Sequence, residues 1–257
     1  MTAIVTLVPF TAGQMTLDWS FFLDGAPGII TAPVTAYLIE HPVKGTAVFD
    51  SGLGPRFRRP NGAPLDGPAD LTADGTIDAR ITAAGYDPAA VSIIVNSHLH
   101  TDHAGGNQWL PNARVVVQEA EWRYANSVYD PVYHLPKFDT GQPIEPIGGE
   151  HDLFGDGSVV IYPTPGHTPG HQSARVRTAA GEAILAGDAC NLRDALDQLR
   201  LPDHTHDADA YRASLHDFAR RRDAGAEIFF SHDPDFWAAI NKGTPWKGPI
   251  DGVRPSR

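Results

Sequence analysis

Three things are scarce in this chain of 257 residues: cysteine, basic charge and long apolar runs. A single cysteine, Cys190, excludes an intramolecular disulfide framework and is typical of a reducing compartment. No stretch approaches the roughly 18 apolar residues that a membrane span requires. The first ten residues have no basic segment, and Pro9 breaks their short apolar run, so they do not resemble a secretory signal. We therefore expect a cytoplasmic protein.

Basic charge is also low, with 20 Lys and Arg against 31 Asp and Glu and a net charge of −11. Binding to nucleic acid requires a concentrated basic surface, so this balance argues against a nucleic-acid partner. The one basic cluster, Arg220 to Arg222, ends a predicted helix, where it complements the helix dipole. We expect a small-molecule partner, and the sequence leaves open whether the chain forms a homodimer.

No linker or internal repeat divides the chain, which predicts a single domain over residues 1–257 with a surface tail at 241–257. Short β-branched and aromatic runs between Gly, Pro and Asn or Asp predict strands at 4–8, 16–23, 34–40, 47–50, 91–95, 114–118, 158–163, 172–177, 183–186 and 227–231. Helical patterns occur at 77–85, 105–110, 120–125, 208–222 and 235–240, and residues 126–149 show no period. Two central sheets with helices packed outside satisfy this order, so we predict an α+β fold.

The strongest motif follows directly on the apolar run 91–95. It contains His98, His100, Asp102 and His103 within the segment Ser-His-Leu-His-Thr-Asp-His-Ala-Gly-Gly-Asn. An extended backbone places His98 and His100 on one face, while Asp102 and His103 lie where the chain turns into a helix. Three imidazoles and a carboxylate in six residues are ligands of the kind that zinc binds, so we predict a metal site.

Further candidate ligands follow three later predicted strands. His167 stands in a Thr-Pro-Gly-His-Thr-Pro-Gly-His segment, Asp188 follows Ala-Gly, and His232 follows Phe-Ser. Polar groups placed after buried strands converge at one edge of a sheet, where sites are built. We therefore expect these three side chains to complete the metal site.

This pattern resembles the metallo-β-lactamase superfamily. The resemblance implies a four-layer αβ/βα sandwich with a dinuclear site at the edge of two sheets. It implies two divalent metal ions, expected to be Zn²⁺, with Asp188 bridging them. One metal would bind His98, His100 and His167, and the other Asp102, His103 and His232.

Within the superfamily the chain is similar to the N-acyl homoserine lactonases over roughly residues 3–235. The similarity rests on the ligand motifs, on Met15-Thr16-Leu17-Asp18, on Phe49-Asp50-Ser51-Gly52, and on the Pro-Gly-His-Thr-Pro-Gly-His-Gln-Ser run at 165–173. Two positions depart from it. Many of those lactonases carry a substrate-binding tyrosine where this chain has Asn191, and position 101, often aromatic in relatives, is Thr101.

The expected function is therefore the opening of a lactone ring, with N-acyl homoserine lactone as the candidate substrate, by a hydroxide held between two cations. Asp188 would shuttle the proton, Asp102 belongs to the same catalytic centre, and Asn191 would contact the substrate carbonyl. Tyr129 or Tyr133 from the irregular segment could take that last role.

Two alternatives remain open at this stage. One is a hydrolase of another ester, a thioester, a phosphodiester or a β-lactam on the same metals, and the other is a metal-binding protein without catalysis. The sequence has no G-x-S-x-G motif that would supply a serine nucleophile.

Several neighbours of the motif have a second interpretation. Asp50 and His171 could support metal-bound histidines, although His171 is also typical of a buried structural residue. Cys190 is interpreted as a small buried residue close to Asp188. The aromatic residues Trp19, Phe21 and Phe22 could line a pocket for an acyl chain or belong to the core.

Overall fold

Two β-sheets form the centre of the protein in a computed structural model that describes residues 2–58, 69–128 and 140–249. The first sheet has the strand order β4-β1-β2-β3-β5-β6-β7 and the second the order β12-β11-β10-β9-β8. The strands of the first sheet are β1 Thr6–Asp18, β2 Ile29–His41, β3 Gly45–Phe49, β4 Ala69–Asp70, β5 Val91–Val95, β6 Arg114–Gln118 and β7 Ile144–Ile147. Those of the second are β8 His151–Asp152, β9 Val159–Pro163, β10 Gln172–Thr178, β11 Gly181–Leu185 and β12 Glu227–Phe229.

The pairing within each sheet changes from antiparallel to parallel. Strands β1, β2 and β3 pair antiparallel, whereas β3, β5, β6 and β7 run parallel. In the second sheet β8 to β11 are antiparallel and β12 joins β11 in parallel. Because parallel strands end at the same edge of a sheet, the loops after β3 and β5 leave from one side of the molecule.

Helices of varied length lie between the strands, and together with the sheets they give the α+β fold that the sequence predicted and the sandwich that the family resemblance implied. They are α1 Ile77–Ala83, α2 Thr101–Ala104, α3 Glu119–Ser127, α4 Arg193–Gln198, α5 Ala208–Asp223 and α6 Pro234–Ala239.

The core sits on both faces of the first sheet because successive side chains of a strand point in opposite directions. Leu7, Ile39 and Phe49 join a buried cluster that also contains Val159 and Ile161 of the second sheet. Their strand neighbours Val8, Leu38 and Val48 join another cluster, which α1 covers with Ile77 and Ile81. The assignment of the whole chain to one domain stays a prediction.

Two sequence predictions about local structure were wrong. The strand expected at 16–23 ends at Asp18, whose side chain accepts a hydrogen bond from the Ser20 N–H and starts a short 3-10 turn. The helix expected at 105–110 is instead α2, which begins at Thr101 and is followed by a 3-10 turn. In that turn the Asn107 side chain donates a hydrogen bond to the side-chain oxygen of Asn96 and accepts one from the Ser51 hydroxyl. The strands β4, β7 and β8 and the helix α4 were not predicted.

The beginning of the expected surface tail is bound to the fold. The N–H of Gly243 donates to the carbonyl oxygen of Pro9, and that of Trp246 donates to the carbonyl oxygen of Leu7. The Trp246 ring also contacts Phe229, with 5.4 Å between the ring centroids. Residues 250–257 of the tail lie outside the described part of the chain. Among the described residues, no helix is long and apolar enough to cross a membrane.

Candidate metal centre

The histidine–aspartate motif spans the loop after β5 and the helix α2. His98 and His100 lie in the segment after Val95, and His100, whose backbone is extended, directly precedes α2. Asp102 and His103 lie in the first turn of α2, so they reach the same space from another direction. This is the local geometry that the sequence predicted.

The three later candidates lie after strands of the second sheet. His167 follows β9, Asp188 lies in a 3-10 turn after β11, and His232 follows β12. Gly187, with a φ of 56°, makes that turn possible, because a Cβ there would lie 2.8 Å from His171 Nε2 and from Ser97 Cβ. The turn therefore requires glycine for both conformation and space.

All seven predicted side chains come together at the edge of the two sheets. They form two groups, in each of which the potential ligand atoms lie within 4.8 Å of one another. The first group is His98, His100 and His167, and the second is Asp102, His103, Asp188 and His232.

Asp188 lies between the two groups. Its Oδ2 atom is 3.5 Å from His167 Nε2, while its Oδ1 atom is 3.2 Å from His103 Nε2 and 3.1 Å from His232 Nε2. In the first group, His100 Nδ1 and His167 Nε2 are 3.1 Å apart. A carboxylate with one oxygen toward each group is placed to be shared between them.

Hydrogen bonds from the far side of three histidine rings set which nitrogen carries the proton. His103 Nδ1 lies 2.8 Å from a carboxylate oxygen of Asp50, and His232 Nδ1 lies 2.8 Å from the carbonyl oxygen of Pro33. Both partners can only accept, so each Nδ1 donates. The Ser97 hydroxyl donates to Asp50 and accepts from His98 Nδ1. In the neutral form all three rings therefore direct a lone pair on Nε2 into the site.

Those Nε2 atoms are buried and lack the partners that buried polar atoms usually have. Among the described residues, Nε2 of His98, His103 and His232 and Oδ1 of Asp188 form no aligned hydrogen bond. Lone pairs facing one another at 3.1–3.2 Å repel unless a cation or a proton lies between them. The donor set of five histidines and two carboxylates fits two divalent cations.

The pKa shifts of the histidines differ between the two groups of ligands. Burial lowers the pKa of His98 well below its usual range, and burial together with the neighbouring His167 lowers that of His100 to about 3. Burial acts in the same direction on His103, but the carboxylates of Asp188, Asp102 and Asp50 outweigh it and raise its pKa well above the usual range. His98 and His100 are therefore neutral, as metal ligands must be.

Asp50 makes the supporting contact that the sequence suggested. Its carboxylate is buried and accepts hydrogen bonds from the backbone N–H and hydroxyl of Ser97 as well as from His103. Its backbone has a φ of 56°, a left-handed conformation that non-glycine residues seldom adopt and that is common at functional sites.

A second buried carboxylate, Glu121, was missed by sequence reasoning. It lies in the first turn of α3, and its Oε1 atom accepts from the N–H of Leu99 between two of the histidines. Its Oε2 atom accepts from the Thr168 hydroxyl at 2.6 Å and from the Gly170 N–H at 3.2 Å. Glu121 therefore joins the two loops that carry the first group.

The two groups face a cavity of about 750 Å³. One side is apolar and includes Met15, Leu17, Phe22 and Phe57. Phe22 is buried and its ring packs against that of His232, tilted by 33°, with 4.8 Å between the centroids. The polar residues that also line the cavity are Arg56, Thr101, Tyr124, Thr168, Asp203, His204, Thr205 and His206.

Of the remaining predicted residues, some line the cavity and others do not. Phe21 and Phe22 line this cavity, whereas Trp19 lines a different surface pocket. Asn191 is buried but does not line the cavity, and its side-chain oxygen accepts a hydrogen bond from the Ser231 hydroxyl. Its contact with substrate stays a prediction. Tyr129 and Tyr133 lie outside the described residues.

Two further residues near the site are buried. His171 Nδ1 lies 2.9 Å from the Thr164 hydroxyl, and the His171 ring lies 5.2 Å from that of His98. These contacts do not test a supporting role for His171, which stays a prediction. Burial raises the pKa of the Cys190 thiol well above its usual range, which keeps it protonated. Cys190 is fully buried in the core, as its interpretation as a small buried residue predicts.

Comparison with known proteins agrees with this geometry. The family profile described as the metallo-beta-lactamase superfamily matches residues 30–232. N-acyl homoserine lactonase AttM of Agrobacterium fabrum is 34% identical over 231 residues, which cover 82% of this chain and 85% of that protein. The AttM lactonase of Azorhizobium caulinodans is 32% identical over the same shares.

The fold is similar to a solved structure of an N-acyl homoserine lactone hydrolase with the product N-hexanoyl-L-homoserine bound at its catalytic metal centre. The TM-score is 0.81 at 27% identity, over 94% of this chain and 98% of that one. The chain therefore belongs to the metallo-beta-lactamase superfamily, as its histidine–aspartate motif predicted.

Proposed function

We propose that this protein hydrolyses the ester bond of lactones, with N-acyl homoserine lactones as its substrates. The observation that carries the proposal is the convergence of seven metal-type ligands, five of which line a cavity with one apolar side. The lactonases AttM, similar over four fifths of the chain, support the same substrate class.

The residues present fit two divalent cations, which we propose to be Zn²⁺. His98, His100 and His167 would hold one and Asp102, His103 and His232 the other, with Asp188 shared between them. Bound in this way, the two cations would polarise the ester carbonyl and lower the pKa of a water molecule between them. The buried histidine nitrogens without hydrogen-bond partners are the basis for this assignment.

The protein's own residues orient the substrate and manage the proton. The pKa of Asp188 is held well below its usual range because His103 and His232 outweigh the effect of burial, so its carboxylate is ionised at neutral pH. Asp188 would accept the proton of the attacking water and return it to the departing alcohol, because its two oxygens lie beside both groups of ligands. Asp102, whose pKa is lowered to about 2, stays a charged ligand throughout.

The apolar side of the cavity is suited to the acyl chain. Met15, Leu17, Phe21, Phe22 and Phe57 line it, and burial of apolar chain against such residues contributes about 0.8 kcal/mol per methylene group. A longer acyl chain is therefore expected to lower KM until the cavity is filled.

We further propose that the protein acts in the cytoplasm on a small-molecule substrate, without nucleic acid or membrane. The single buried cysteine and the net charge of −11 support this. Gel filtration with light scattering tests whether the chain forms a homodimer.

The direct test is hydrolysis by the metal-loaded protein. We expect turnover of N-acyl homoserine lactones in a pH-indicator assay, and little turnover of a β-lactam, a glutathione thioester or a phosphodiester. His103→Ala should abolish turnover while leaving the circular dichroism spectrum unchanged, because the core strands do not depend on this side chain. His216→Ala, an exposed histidine on α5 outside the cavity, is the matched control and should keep full activity.

Two results would contradict the proposal. A wild-type protein that carries its metals and opens no lactone would remove the lactonase function. Activity retained in His103→Ala would remove the two-metal scheme.

A further inference from the structure

Two segments that are far apart in the sequence meet beside the cavity. Residues 19–24 follow β1 and contribute Phe21 and Phe22 to the cavity lining. Residues 199–207, between α4 and α5, contribute Asp203 and the three residues after it. The first segment carries part of the apolar lining to which the acyl chain has been assigned. The contacts that hold this segment in place therefore affect which acyl chains the cavity accepts.

Hydrogen bonds join the two segments. The N–H of Asp24 donates to the carbonyl oxygen of Leu201 at 2.8 Å, and the Arg200 guanidinium donates to the carbonyl oxygen of Asp24. In the reverse direction, the N–H of Asp203 donates to the carbonyl oxygen of Ser20 at 3.2 Å. The side chains of the same pair also meet, because the Ser20 hydroxyl donates to Asp203 Oδ2 at 3.0 Å. Ser20 and Asp203 are thus joined twice, once through the backbone and once through the side chains.

The linked segments also contact a ligand of each group. Phe22, in the first segment, packs against the ring of His232 with 4.8 Å between the centroids. The second segment is bonded to the loop that carries a ligand of the other group, since the N–H of His206 donates to the carbonyl oxygen of His167 at 3.3 Å. Both segments are therefore positioned relative to the metal centre.

Phe21 depends on this arrangement more than Phe22 does. Phe22 has 1% of its surface exposed, whereas Phe21 is 37% exposed, so the packing around Phe21 is incomplete. The Phe21 ring contacts that of Phe22 at 5.4 Å and that of His204, on the second segment, at 5.5 Å between centroids. Phe21 directly follows Ser20, and His204 directly follows Asp203. The hydrogen bond between Ser20 and Asp203 therefore joins the backbone next to both rings.

We propose that Ser20 and Asp203 are positioning residues that hold Phe21 in the cavity and so set a preference for long acyl chains. This inference rests on the proposed lactonase function. The ester is bound at the metal centre, so loss of the hydrogen bond between Ser20 and Asp203 should affect binding of the acyl chain rather than the chemistry of the ester. A long chain has more methylene groups that can contact Phe21 than a short one, so displacement of that ring weakens its binding more.

The test compares hydrolysis of N-decanoyl and N-butanoyl homoserine lactone, which differ only in acyl length. In Asp203→Ala and in Ser20→Ala we expect the ratio of kcat/KM for the decanoyl substrate to that for the butanoyl substrate to fall about 10-fold, through a higher KM, as if one or two methylene groups lost their contact. The double variant should add little to either single one, since both remove the same hydrogen bond. Asp203→Asn keeps an oxygen that can accept from the Ser20 hydroxyl and should restore most of the ratio.

Two measurements separate this role from a general structural one. Asp209→Ala removes a carboxylate of α5 that is 96% exposed and does not line the cavity, and it should leave the ratio unchanged. Hydrogen exchange of the metal-loaded protein should become faster at residues 19–24 in Asp203→Ala and stay at the wild-type rate in Asp209→Ala. Bound metal should stay at the wild-type level in every variant.

Three results would overturn the inference. The first is a ratio within two-fold of wild type in both single variants. The second is an equal loss of kcat/KM on both substrates, which would mean a disturbed metal centre. The third is a lower ratio with unchanged exchange at residues 19–24, which would mean that Asp203 acts on the substrate without moving Phe21. If the wild-type protein opened neither lactone, the proposed function itself would fail and the inference would fall with it.

Discussion

At the scale of single residues, the metal ligands could be predicted from the sequence, whereas a residue that holds their loops in place could not. His98 to His103 form a compact motif, and His167, Asp188 and His232 each follow a β-like run, so their convergence could be predicted. Glu121 could not, because an acid in the first turn of a helix is typical of a solvated residue. Its partners at 99, 168 and 170 come together only in the folded chain.

The buried position of Glu121 gives a specific prediction. Glu121→Gln replaces one acceptor oxygen with an amide nitrogen, which then faces either the Leu99 N–H or the Thr168 and Gly170 donors. We expect a loss of about 2 kcal/mol in the free energy of unfolding, because a buried donor is left without an acceptor. Chemical denaturation of the metal-loaded protein measures this loss.

The matched control for that variant lies on the same helix. Glu119→Gln removes an exposed carboxylate whose ion pair with Arg123 is typical of pairs that contribute little. If the two variants were equally stable, Glu121 would not hold the loops together.

At the scale of elements, the sequence predicted the strands that are buried on both faces best. The bounds expected for β5 and β6 coincide with the structure, since buried β-branched residues dominate both segments. The segment 16–23 was misassigned because an Asp side chain that starts a 3-10 turn interrupts an otherwise strand-like pattern. Local propensity does not record which side chain will accept a backbone hydrogen bond.

The contact between α3 and the loop of residues 164–171 is close enough to test by adding one methyl group. In Gly170→Ala the new Cβ would lie 2.0 Å from the backbone nitrogen of Glu121 and 2.5 Å from its Cα, so backbone must move. We expect a destabilisation of about 3 kcal/mol, at the upper end for overpacking, measured as a lower denaturation midpoint.

Gly148→Ala is the comparison, because nothing lies within 4 Å of a Cβ built there. This variant should unfold at nearly the wild-type midpoint. A Gly170→Ala protein of wild-type stability would mean that α3 is not packed on the loop as described.

At the scale of the whole molecule, the site exists because loops from two sheets meet at one edge. The first sheet contributes His98, His100, Asp102 and His103 from one loop, and the second contributes the other three ligands after β9, β11 and β12. The resemblance to a known family supplied this arrangement in advance, whereas composition and periodicity alone supported only two sheets with helices outside. The contribution of α3 and residues 203–206 to the cavity lining could not be predicted, since it depends on tertiary packing.

Metal content per chain tests the central claim most directly. After dialysis, elemental analysis should find two divalent ions in the wild-type protein, and two in the control His216→Ala. His100→Ala should retain about one, because the second group is intact, and His232→Ala should also retain about one. Asp188→Ala should weaken both sites, since its two oxygens face different groups. A wild-type protein that binds no divalent ion, or an Asp188→Ala variant that keeps both as firmly as wild type, would contradict the account.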